Sequence, residues 1–266
     1  MAKFWTWREK QEKVTEYDAA MYIDNLRLQQ KDNKGLSFDT ISGGGANAAV
    51  IHYKPGPETS AVITKDMIHL VDSGGQYLDG TTDVTRTFHF GNPTPEEKSS
   101  FTRVLLGNLD VERVKWPKSV KLTGADIDVL ARRHLWQVGL DYLHGTGHGV
   151  GYFEGVHEGP VGLSKYNTTV YEPNMIVTNE PGYYETGKYG IRIENMLVVV
   201  EKDGLHGFEN LTLCPYDKNL FDLSLLTQND VNFINEYHKR VWETVSPHLT
   251  GDEESLAWLK KATLPI

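Results

Sequence analysis

Two stretches of this chain follow the same pattern, a constraint on folding stronger than any other in the sequence. Ile68-His69-Leu70-Val71-Asp72 leads through Gly74-Gly75 and Tyr77 to Asp83, then to Val84-Thr85-Arg86-Thr87-Phe88. Ile176-Val177-Thr178-Asn179-Glu180 leads through Gly182 and Tyr183 to Glu194, then to Met196-Leu197-Val198. Both read as strand, acid, glycine, tyrosine, polar turn, acid, strand. A duplicated half-domain produces such an echo.

The elements around the echo are marked by local chemistry. Thr15 with Asp18, Thr94-Pro95 with Glu97, Thr123 with Asp126 and Thr227 with Asp230 each read as a helix start. The second helix presents Phe101, Val104, Leu105 and Leu109 on one face and is expected to stop at Pro117; the third carries Ile127, Leu130, Ala131 and Leu135 and stops at Gly139. Runs rich in β-branched and aromatic residues predict strands over 48–53, 67–71, 84–90, 175–178 and 191–200.

At 266 residues, 39% hydrophobic and 24% charged, the chain has the make-up of a soluble globular domain without low-complexity segments. No apolar run approaches the ~20 residues of a membrane-spanning helix. Met1-Ala2-Lys3-Phe4-Trp5 does not lead into a signal-peptide core, so a cytoplasmic protein without membrane contact is expected. The formal charge of −9 argues against a nucleic-acid-binding surface. Cys214 stands alone, which excludes an internal disulfide and a Cys-rich zinc site and predicts a small buried apolar residue.

The acids of the echo carry the chemistry. Asp72 and Asp83 are 11 residues apart across a Gly-rich segment, and Glu180 and Glu194 are 14 apart. If the flanking strands pair, each pair of carboxylates comes face to face, where bare charges repel and a divalent cation removes the conflict. The alternation in Ile191-Arg192-Ile193-Glu194 puts Arg192 on the same side as Glu194. His144-Gly-Thr-Gly-His148-Gly-Val-Gly151 holds two histidines four apart, as a zincin helix would, but four glycines in eight residues favour a loop or strand edge close to a ligand. His157 follows nine residues later, and His52 closes the predicted strand 48–53. His69, His89, His134, His206, His238 and His248 read as structural. Four carboxylates are balanced by two divalent ions, with neutral His148 as a further ligand. Oxygen donors with one imidazole favour Mn²⁺ or Co²⁺ over a structural Zn²⁺.

Asp72, Asp83, His148, Glu180 and Glu194, in this order, resemble the metal centre of the pita-bread metallopeptidases. Asp72-Ser-Gly, Thr81-Thr-Asp-Val-Thr-Arg86, the His144 to Gly151 segment and Val156-His-Glu-Gly-Pro160 are most similar to Xaa-Pro aminopeptidases (aminopeptidase P), in particular the eukaryotic cytosolic type. The resemblance implies an α+β fold of two related halves whose curved antiparallel sheets enclose two metals, and release of an N-terminal residue that precedes proline. It implies that Asp83 and Glu194 bridge the metals, that Asp72 binds one and that His148 and Glu180 bind the other. Glu180 would also be the general base, His52 and His157 would position substrate and move protons, and His144 would line the same pocket. Mn²⁺ and a homodimer are implied too.

A prolidase, which cuts only Xaa-Pro dipeptides, would use the same five ligands; methionine aminopeptidase matches the 144–157 segment less closely; and a pita-bread domain without metals would be a binding module. Members of the cytosolic type carry large N-terminal domains, and the chain is expected to be the catalytic domain alone, 1–266. On that reading Phe4, Trp5 and Trp7 suggest an uncapped helix with no preceding segment to pack against.

Overall fold

A computed structural model describes residues 1–266. Six helices are present: α1 (Ala2–Lys10), α2 (Glu16–Leu28), α3 (Pro95–Glu112), α4 (Gly124–Trp136), α5 (Gln228–Val245) and α6 (Glu253–Ala262). All four expected helix starts form; Thr15, Thr94 and Thr227 accept from the backbone three residues on, whereas at α4 only Asp126 reaches back to Thr123 N. At α3, Thr94 Oγ1 accepts from Glu97 N at 3.2 Å while Glu97 Oε2 accepts from Thr94 N at 2.7 Å, which satisfies two otherwise orphaned amides. α3 ends at Glu112, short of Pro117, which instead closes the strand Lys115–Pro117.

The two copies of the echo fold alike. His69–Ser73 is the middle strand of an antiparallel sheet between Ile41–Gly44 and Val84–Phe88, with Ser73 opposite Val84. Ile176–Asn179 pairs antiparallel with Asn195–Lys202, with Asn179 opposite Asn195, in a four-stranded sheet completed by Leu205–Asn210 and Lys115–Pro117. Between the acids of each pair lies a small hairpin: Gly75–Tyr77 with Gly80–Thr81, and Gly182–Glu185 with Tyr189–Arg192. The expected run 191–200 is therefore broken at Ile193–Glu194, where the chain passes from the hairpin into the larger sheet.

α3 buries Phe101, Val104, Leu105 and Leu109 in the larger core, with Leu70, Val71, Phe88 and Ile191 from the strands and Ile193 from the break between two of them. Each such side chain contributes roughly 1.5–3 kcal/mol on burial. A second core joins Ile127 and Ala131 of α4 to Val177, Leu197 and Val199.

One expectation fails here. Residues 48–53 form no strand: Gly45–Ala49 is a 3₁₀ turn, and the chain continues irregularly to Ser60. The apolar character of Ala48 to Ile51 is outweighed by tertiary hydrogen bonds at Asn47 and Tyr53. The aromatic cluster of α1 lies on a helix without a side-chain cap, as expected. Phe4 and Trp5 are fully buried, Trp5 stacks on Phe88 with ring centroids 4.1 Å apart, and Trp7 stacks on Tyr22 at 4.1 Å. The partners come from segments that follow in the chain.

Candidate active site

The ends of the paired strands meet at one cavity of about 340 Å³, whose walls include Asp72, Asp83, His148, Glu180 and Glu194 together with His52, His144, His157 and Arg192. All the residues singled out in the sequence for this site thus reach one space. Asp83, His148 and Glu194 each place a ligand atom within 4.8 Å of the others.

His148 owes its position to the glycines around it. A Cβ on Gly147 would lie 1.8 Å from the Thr178 carbonyl oxygen, so only glycine lets the strand Gly147–His148 press against Ile176–Asn179. His148 N then donates to Thr178 Oγ1 at 3.0 Å, and Glu180 N to the Thr146 carbonyl at 2.7 Å. The expected loop or strand edge is what forms.

The two acid pairs are joined directly. Glu194 N donates to the Thr85 carbonyl at 3.1 Å, and Thr85 Oγ1 donates to Glu194 Oε2 at 2.7 Å. Arg192 N and the Arg192 carbonyl both engage Thr87 Oγ1, at 3.1 and 3.0 Å. Buried Arg86 donates to the Glu194 carbonyl at 2.6 Å. Asn108 of α3 holds the carbonyls of Asn179 and Ile193 at 2.8 and 3.2 Å, each the residue preceding a site glutamate.

Electrostatics press for a cation. Burial, with Asp72 and Glu180 nearby, pushes the Asp83 carboxyl well above its usual range. Burial and Asp83 do the same to Glu194, and burial with Glu194 raises Glu180 to about 8. His148 Nδ1 lies 2.9 Å from the Gly149 carbonyl, which only accepts, so Nδ1 carries the proton. Nε2 is then turned toward Asp83 Oδ2 at 3.4 Å and Glu180 Oε1 at 3.5 Å. Three potential ligand atoms thus converge, and the crowding of the carboxylates is relieved either by protons or by a cation. Asp72 Oδ1 is likewise buried without a partner, while Asp72 Oδ2 accepts from Arg192 at 2.9 Å. This donor set, oxygens with one imidazole, fits divalent cations.

The histidines differ in state. His144 Nδ1 donates to the Gly145 carbonyl at 2.8 Å, so its Nε2 accepts from Tyr184 Oη at 2.8 Å; burial lowers its pKa to about 4 and keeps the ring neutral. His157 is exposed and lies edge-on to His148, centroids 4.0 Å apart; burial of part of the ring and His148 lower its pKa. His52 is exposed on the irregular segment after the 3₁₀ turn.

Tyr184 was not singled out in the sequence, although it is the hinge between His144 and Arg192, whose Nη1 it accepts at 3.0 Å. Thr85, two residues beyond Asp83, was available from the echo. Arg86 and Asn108 carry no local signal.

This arrangement of mixed α/β elements and antiparallel sheets around a candidate metal site is the pita-bread fold. The chain belongs to metallopeptidase family M24, whose model matches residues 1–201, with the C-terminal region of the same family matching 204–266. It is 48% identical to a probable Xaa-Pro aminopeptidase P of Coprinopsis cinerea over 281 aligned positions, covering 100% of this chain and 45% of that protein. It is 50% identical to Xaa-Pro aminopeptidase 1 of Dictyostelium discoideum, covering 95% of this chain and 42% of that one. Among solved structures, the X-prolyl aminopeptidase of Caenorhabditis elegans, described as a cytosolic enzyme with a di-nuclear active site, superposes with a TM-score of 0.95 at 41% identity, over 100% of this chain and 45% of its own. The chain spans less than half the length of these relatives. No helix is long and apolar enough to cross a membrane.

Proposed function

We propose that residues 1–266 form one catalytic domain that, with two divalent cations, releases the N-terminal residue from peptides with proline in second place. The observation that carries this is His148 Nε2 facing two carboxylates beside a buried, unpartnered Asp72 oxygen. The printed names of the relatives at 41–50% identity supply the substrate class.

Asp72, Asp83, His148, Glu180 and Glu194 would hold the ions. When bound, the ions polarise the scissile carbonyl and provide an activated water at neutral pH. Glu180, on the cavity wall, would accept the proton of the attacking water. The scissile bond is a tertiary amide, so the departing proline nitrogen needs a proton as the tetrahedral intermediate collapses. His157 is exposed to the cavity and is suited to deliver it. His52, also on the cavity wall, orients the substrate. His144, neutral and hydrogen-bonded at both nitrogens, shapes the pocket and orients substrate without carrying a proton. Mn²⁺, a cytosolic location and a homodimer belong to the same reading.

The test is an assay of the Mn²⁺-loaded chain on an Xaa-Pro-Xaa tripeptide and an Xaa-Pro dipeptide. Cleavage of the tripeptide supports the aminopeptidase. Cleavage of the dipeptide alone makes the site a prolidase. Full metal occupancy with neither substrate cut overturns the catalytic reading of this chain.

A further inference from the structure

Glu16 is fully buried at the first position of α2, and it is not part of the metal site. Its carboxylate accepts five hydrogen bonds. Oε1 receives Gly44 N at 2.8 Å and Asn47 Nδ2 at 3.1 Å. Oε2 receives Asn47 Nδ2 at 3.0 Å, Tyr53 Oη at 2.6 Å and Ala61 N at 2.7 Å. All of these donors are neutral. A carboxylate in such a place is costly unless every lone pair is used, and here the amides and the N-terminal end of the α2 dipole satisfy it.

The donors share one property. Gly44 ends a strand, Asn47 sits in the 3₁₀ turn, Tyr53 lies in the irregular stretch and Ala61 precedes the strand Val62–Thr64. Glu16 therefore clamps the segment 44–61 at both ends and at two points within it. That segment delivers His52 to the cavity, and Tyr53, one of the clamped residues, is its neighbour. Within the segment the backbone around His52 is tied only by short turns, such as Tyr53 N to the Val50 carbonyl at 3.0 Å. Burial and the adjacent carboxylate raise the Tyr53 pKa, so its hydroxyl stays a donor.

We propose that Glu16 is a positioning residue for the reaction: it fixes His52 against the metal site by clamping segment 44–61. The proposal rests on the reading of His52 as a substrate-orienting group. It requires Glu16 to act through His52 and not through the metals, which are held by other elements.

The experiment uses the Mn²⁺-loaded chain with Glu16→Gln and Tyr53→Phe, each alone and combined with His52→Ala. It measures kcat and KM on an Xaa-Pro-Xaa tripeptide, metal content, and amide hydrogen exchange along the chain. Misplacement of a substrate-orienting group by about 1 Å costs about a hundredfold in rate. The expected result for Glu16→Gln is a loss of that size with metal content unchanged and faster exchange confined to 44–61. Tyr53→Phe, which removes one hydroxyl and leaves the backbone clamps, should show a smaller loss in kcat, and it carries the test if Glu16→Gln does not fold. In the His52→Ala background either substitution should add little, because residues that act through one group are not additive. Full multiplication of the two losses, or loss of metal, would overturn the proposal. If the parent chain cuts no tripeptide, the functional reading fails first; the exchange data still decide the clamp, since unchanged exchange over 44–61 in Glu16→Gln removes it.

Discussion

Arg192 occupies one oxygen of Asp72, at 2.9 Å, and leaves the other free within the cavity. The same guanidinium reaches Thr85 Oγ1 at 3.2 Å and Tyr184 Oη at 3.0 Å. A flat fork with three partners cannot be replaced by a point charge. Arg192→Lys should weaken metal affinity by about 10- to 100-fold, as loss of an outer partner of a ligand typically does. Calorimetric titration with Mn²⁺ checks this, and unchanged affinity would show that Asp72 orients itself.

Asp83→Asn should lower the metal content of the purified chain. The substitution replaces an anionic donor at the meeting point of both acid pairs with a neutral one. Elemental analysis after Mn²⁺ loading should give about two ions for the parent, and a parent stoichiometry near zero would dismiss the two-ion site altogether.

Metal removal should matter more as pH rises. Glu180 titrates at about 8 in the metal-free fold against an ordinary 4.5, and Asp83 and Glu194 are also raised. A carboxyl whose pKa is raised by folding contributes stability that is complete below its unfolded pKa and is lost as pH climbs through the folded value. The chelated chain should therefore lose Tm between about pH 5 and 8, whereas Mn²⁺ restores it by binding only the folded state. Superimposable melting curves with chelator and with Mn²⁺ at pH 8 would refute this.

His157→Ala and His52→Ala should keep both metals while lowering turnover, His157→Ala by about 10²–10⁴-fold if it is the proton donor. Metal content is the deciding measurement: a variant that loses its ions has lost a ligand, not a proton carrier.

Away from the site, Glu112 is half-buried, and burial raises its pKa to about 7 while Asn210 Nδ2 donates to it at 2.9 Å. Glu112→Gln keeps an acceptor for Asn210 and removes the charge. It should stabilise the chain at pH 8 by on the order of 1 kcal/mol after solvent screening, and have no effect at pH 5. Denaturant midpoints at the two pH values test the difference.

The acids of the cavity were legible in the sequence because Asp72 and Glu180 each end an apolar run just before a glycine, and Asp83 and Glu194 each lead into the partner strand, a pattern written twice. The helix starts were legible because caps are local chemistry between residues three apart. What escaped depends on distant partners. The run Ala48 to Ile51 has strand-like composition, but Glu16, more than thirty residues earlier, ties Asn47 and Tyr53 into a clamp that no ladder can satisfy. Arg86 and Asn108 matter through carbonyls of Glu194, Asn179 and Ile193, and nothing near them in sequence announces it. α6 had a local signal, Asp252 capping Ser255 N with two glutamates in the first turn, that the sequence reading did not use.

The hydrogen bonds from Thr85 and Thr87 to Arg192 and Glu194 run between the two acid-bearing hairpins. Neither hairpin alone is a chelator, because Asp72 and Asp83 lie on one side of this seam and Glu180 and Glu194 on the other. On the proposed ligation the ions would be held as a dimeric protein would hold them, at an interface, except that the covalent link through α3 and α4 supplies the second partner at high local concentration. Affinity for the cation is then set by how firmly the two sides close on each other as much as by the ligands, and substitutions far from the cavity that loosen the seam will read out as weaker metal binding.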